Sequence, residues 1–91
     1  MATTSYDVTK DWTATVEGAA DVNLCGARNE DVEYIVADSE PAVAAVGHLL
    51  PQRQTQRVYV GESDELYVRI IPGATDSAGT AVATDAAAPA E

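Results

Sequence analysis

Between Val32 and Ile71 apolar and polar positions alternate in three separate runs, with the two-residue period of a β-strand that turns one face to a core. In Val32–Ala37 the residues Val32, Tyr34 and Val36 share a face, while Ile35 and Ala37 leave the other only partly polar, which predicts a central strand. Thr55–Val60 and Glu65–Ile71 flank a four-residue loop, Gly61–Asp64, and predict a β-hairpin. In its second arm Leu66, Val68 and Ile70 face the core, and Glu65, Tyr67 and Arg69 share the outer face.

Upstream, Trp12–Val16 predicts a strand with Trp12, Ala14 and Val16 on one side and Thr13 and Thr15 on the other. Val22–Cys25 predicts a second, set off by turn residues at Gly18–Asp21 and Gly26–Asp31. Asp38–Gln54 is too long for a hairpin loop. Pro41 early and Gly47 late in it suggest one helical turn on a connection that crosses from one sheet to another. Thr80–Thr84 reads as a last edge strand.

Six or seven short antiparallel strands in this length predict an all-β fold, a small two-sheet β-sandwich or barrel-like module. The expected organisation is an N-terminal arm over residues 1–11 that pairs late or only with a partner, and a sandwich domain over 12–84. A disordered Ala/Pro/acidic tail follows over 85–91.

A chain of 91 residues leaves about 40% of its unfolded surface exposed after folding, and its single cysteine, Cys25, supplies no internal disulfide. Self-association is a common remedy in chains this small. The start lacks the basic and apolar character of a signal peptide, and no apolar run spans a bilayer, so the expectation is a soluble protein made in the cytoplasm. Fifteen acidic residues against five basic ones give a formal charge of -10, which opposes binding to nucleic acid or an anionic membrane and favours a neutral or basic protein partner. The acids are dispersed, as on a solvated face. A DNA mimic would need them ordered along one face.

Candidate chemistry is sparse. His48 is the only histidine and has no nucleophile or orienting group placed beside it by any motif, so a structural loop role is favoured over a general base. Cys25 beside Leu24 reads as a small buried hydrophobe. Neither Glu62, Asp64 and Glu65 nor Asp38 and Glu40 follow the calcium-loop spacing. No catalytic set, cofactor or metal site is expected. Without Phe, the tyrosines are free for surfaces and contacts, and Tyr6, Trp12, Tyr59 and Tyr67 are the candidate partner contacts. The plainer alternative makes Trp12 and Tyr34 core and pairs Tyr59 with Tyr67 across the hairpin.

The run Val32-Glu33-Tyr34-Ile35-Val36-Ala37-Asp38-Ser39-Glu40-Pro41-Ala42, then Gly47-His48-Leu49-Leu50-Pro51, Gly61-Glu62 and Glu65-Leu66-Tyr67-Val68-Arg69, resembles small virion structural proteins of tailed bacteriophages. These are of the capsid decoration (cement) or head-fibre type. The resemblance covers about half of the chain and implies a non-enzymatic component of the virion, bound to the outer surface of the major capsid protein shell as a homotrimer and stabilising the expanded head. The acidity and alanine-rich tail of this chain depart from typical members. A tail, neck or fibre-associated domain is the alternative, an acidic DNA-mimic inhibitor comes next, and a small hydrolase has the least support.

Overall fold

The computed structural model describes residues 3–27 and 29–85, and it folds as a sandwich of two four-stranded antiparallel sheets. The strands are β1 (Thr3–Thr9), β2 (Thr13–Glu17), β3 (Ala20–Cys25), β4 (Val32–Ala37), β5 (His48–Leu50), β6 (Thr55–Val60), β7 (Glu65–Ile70) and β8 (Ala78–Asp85). Sheet A runs β1-β8-β3-β6 and sheet B runs β2-β7-β4-β5. No helix occurs among the described residues.

The core lies between the sheets and is built from the inward set that the alternation picks out. Val8, Val22, Leu24, Val58 and Val60 come from sheet A, and Val32, Leu50, Leu66, Val68 and Ile70 from sheet B. With no Phe available, aliphatic side chains fill it, and Tyr6, Tyr34 and Val36 close its margins.

Several expectations are corrected. The N-terminal segment is not a free arm: Thr3–Thr9 pairs with β8 over its whole length, and two inward residues, Tyr6 and Val8, suffice to hold an edge strand. The last strand is not at an edge but lies between β1 and β3. Its inward Ala81 and Ala83 are small because their cross-strand neighbours, Tyr6 and Leu24, are large. The described strands therefore number eight. Of the tail expected over 85–91, Asp85 instead ends β8, opposite Val22, and residues 86–91 lie outside the described residues.

The hairpin is also overturned. β6 pairs with β3, and β7 pairs with β2 and β4, so Gly61–Asp64 is an arch that carries the chain between sheets. A hairpin and an arch share the same alternation and loop length. The arch wins because β7 buries both faces, with Tyr67 and Arg69 as hidden as Leu66 and Val68, and such a strand belongs inside a sheet with neighbours on both sides. Tyr59 and Tyr67 consequently sit in different sheets and do not pair.

In β2 the expected face is broken by a register shift between Ala14 and Glu17. Ala14 points out while Val16 packs on the core, the re-aiming that a bulge produces. The long connection does change sheets, but only after His48–Leu50 has added β5 to the edge of sheet B beside β4.

Candidate functional site

The outer face of sheet B carries two opposite charges in the middle of apolar strands, Glu33 on β4 and Arg69 on β7, directly across from each other in the ladder. Arg69 Nε donates to Glu33 Oε2 at 2.7 Å, and the two side chains are 4% and 7% exposed. A charge pair removed from water this far is favourable only if its remaining donors and acceptors are also satisfied. Here the segment between β4 and β5 satisfies them.

That segment folds over the outer face as a lid of backbone. Arg69 Nη1 donates to the carbonyl of Val43 and Nη2 to that of Ala45, each at 2.8 Å. The free oxygen of Glu33, Oε1, accepts the Gly47 backbone N–H at 2.7 Å. Trp12, at the entry to β2, donates its indole N–H to the Ala42 carbonyl at 3.1 Å and lays its ring 4.2 Å from the guanidinium carbon of Arg69. One turn, closed by the Ala45 N–H on the Ala42 carbonyl, completes the loop where a single helical turn was expected. Gly47 is demanded by close approach, because a Cβ there would sit 2.7 Å from the Tyr34 carbonyl and 3.0 Å from the Trp12 ring.

Every one of these anchors takes hold of backbone, so the side chains of the loop stay free. Val43 is 85% exposed and Val46 88%, the two most exposed large hydrophobic residues of the described chain, and Leu49 on β5 adds a third apolar group at 59%. Asp38 and Glu40 stand at the base of the loop. Both raise the pKa of the Tyr67 phenol, which burial and the Glu65 carboxylate, hydrogen-bonded to it at 3.0 Å, push up more strongly. The result is a pre-shaped apolar tip with an acidic margin.

Of the aromatic contacts expected from sequence, Trp12 and Tyr67 are buried in this platform, and Tyr6 packs half-buried against the core from β1. Tyr59 alone stands out into solvent, on β6 in the other sheet. The structure does not gather the four. His48 is exposed on β5 with its ring against Tyr34. Cys25 is half-buried and, with Gly26, Asn29, Gly79, Thr80 and Val82, lines an open recess of about 530 Å³. The Asn29 amide at that recess is already engaged with Asp76 and the Ala78 carbonyl.

No family model, curated protein or solved structure matches the chain. What the platform does must follow from its own residues. Among the described residues no buried side-chain nitrogen or oxygen lacks a hydrogen-bond partner, and the Arg69–Glu33 pair bonds to itself and to the loop. The chemistry it performs is positional: it fixes a loop.

Proposed function

We propose that this chain is a binding module without catalytic activity, a capsid decoration protein that docks on the outer surface of a major capsid protein shell and stabilises the head. One observation carries the reading. A buried ion pair, a stacked tryptophan and four backbone anchors are committed to holding residues 42–47, and the outward product of that investment is Val43 and Val46.

A loop already fixed does not lose its freedom on docking, which removes one of the main costs of association. Burying an exposed valine on a partner contributes about 1.5–3 kcal/mol at most. Two or three such residues at the centre of a contact supply the apolar area, and the acidic margin orients it on a basic-rimmed recess.

The choice of partner rests on the resemblance to phage virion proteins. Among the residues that carry it, Glu33, Ala42, Gly47, Tyr67 and Arg69 also belong to the platform and its loop. Purified expanded heads test the reading: the protein is expected to co-sediment with them and to raise their disruption temperature. Failure to attach removes the proposal.

A further inference from the structure

The two sheets treat their edges differently. Sheet B is blunted at both ends: β5 is only three residues long and is followed by Pro51, and β2 is broken by its bulge. Short edge strands and bulges are the usual devices that stop a sheet from pairing with another chain. Sheet A has neither. Its edges are β1, seven residues in unbroken register with β8, and β6, six residues in unbroken register with β3, and neither contains Pro, Lys or a bulge.

The directions of these open edges are compatible. β1, β8, β3 and β6 alternate in direction along the sheet, so β6 of one copy would run antiparallel to β1 of the next and continue the sheet. The charges are compatible as well. The only charged residue on β1 is Asp7 and the only one on β6 is Arg57, both on the outer face of sheet A. Pairing either edge with itself brings two like charges close together, whereas pairing β6 with β1 brings opposite ones together.

Setting Arg57 opposite Asp7 fixes the rest of the register. Tyr59 then faces Ser5 on the outer surface, and Val58 faces Tyr6 on the inner side, so the half-buried ring of Tyr6 gains cover and inward residues meet inward residues. Arg57 has the capacity for this. Its Nε and Nη2 hold Asp21 at 3.0 and 2.6 Å, which leaves Nη1 for a second carboxylate.

We infer that this protein self-assembles head to tail, β6 of one copy pairing with β1 of a second copy through Arg57 and Asp7. Because the two surfaces differ, the contact must close into a ring or run on as a filament. This inference is independent of the capsid reading and is decided by the purified full-length chain with no heads present.

Sedimentation velocity over a concentration series is expected to show assembly beyond the monomer that grows with concentration. Asp7→Arg, at an exposed position, replaces attraction with repulsion and is expected to weaken assembly by about tenfold per contact. Adding Arg57→Glu together with Asp21→Asn, which removes the carboxylate that Arg57 holds within its own chain, restores opposite charges across the contact and with them assembly. To identify the contact, Ser5→Cys and Tyr59→Cys are combined in a Cys25→Ser chain, because directly opposed positions on paired antiparallel strands have the Cα separation that a disulfide requires. Oxidation should link neighbouring chains into a ladder of dimers and higher multimers, with neither single cysteine variant linking. A strictly monomeric protein overturns the inference, as does cross-linking by Ser5→Cys or Tyr59→Cys alone, which would mean like edges pair.

Discussion

Arg69 Nε lies 2.7 Å from Glu33 Oε2 across the outer face of sheet B, and both side chains are almost wholly removed from solvent by the loop they hold. Removing one partner strands the other as an uncompensated buried charge. Arg69→Met is expected to lower stability by about 3–5 kcal/mol, a large fraction of what a domain of this size has. Glu33→Leu with Arg69→Met should recover much of that loss, and urea titration of the two variants measures the difference. The recovered protein would still lack anchors for the carbonyls of Val43 and Ala45.

Trp12 reports on the same loop from the other side. Trp12→Phe keeps a ring near Arg69 but removes the N–H that holds the Ala42 carbonyl, a loss of about 1 kcal/mol. Its effect should be local. Elastase, which cuts after small aliphatic residues, is expected to cleave between Ala42 and Gly47 faster in the variant than in the parent, with the cut located by mass.

Much of this architecture was legible in the chain, and the failures have specific physical causes. Val32–Ala37 and Thr55–Val60 emerge with their boundaries unchanged because clean alternation meets turn residues at both ends. β1 is missed because an edge strand needs only Tyr6 and Val8 as inward anchors, too few to stand out from a polar arm. β8 is placed at the edge because its buried residues are alanines, whose smallness reflects neighbours that sequence order does not disclose. The arch passes for a hairpin because inward parity is the same in both.

The platform had a signal too. Glu33 and Arg69 are opposite charges inside apolar runs, and Val32–Ala37 already reads as central. A charge of each sign in such positions is better explained by a mutual partner than by solvent. What remained hidden is that residues 42–47 supply the other hydrogen bonds, since backbone carbonyls carry no sequence identity.

Asp21 and Tyr67 each give the stability a pH dependence, one at the acid end and one at the alkaline end. Hydrogen bonding to Arg57, then its charge, holds the Asp21 carboxyl below its ordinary range. A lowered folded pKa means that the pair stabilises the protein above about pH 3.9 and that this contribution is lost as pH falls through the folded value. Asp21→Asn should flatten the acid limb of the stability curve modestly, since the pair is exposed. Burial and then Glu65 raise the Tyr67 phenol, so its contribution is complete below about pH 10 and is lost as pH rises through the folded value. Tyr67→Phe should remove that alkaline loss, and thermal melts at stepped pH check both.

Gly18 packs its α-carbon against the Gly61 carbonyl at the arch, and its N–H donates to the Asp64 carbonyl at 3.0 Å. A methyl group at Gly18 would fall on backbone that has no side-chain freedom to yield. Gly18→Ala is expected to cost at least about 1–3 kcal/mol, the range for overpacked sites. Gly73→Ala is the control, because nothing lies near the Cβ it would add, and chemical denaturation of the two variants should separate them clearly.

If the anchored loop is the docking element of a capsid-binding module, Val43 and Val46 carry the contact. Co-sedimentation with purified expanded heads tests it, comparing the parent chain with a Val43→Asp, Val46→Asp variant. Both positions are exposed enough for the fold to tolerate the change. Saturable binding by the parent, and its loss in the variant at unchanged melting temperature, is the expected result. A parent that does not bind, or a variant that binds equally well, would contradict it.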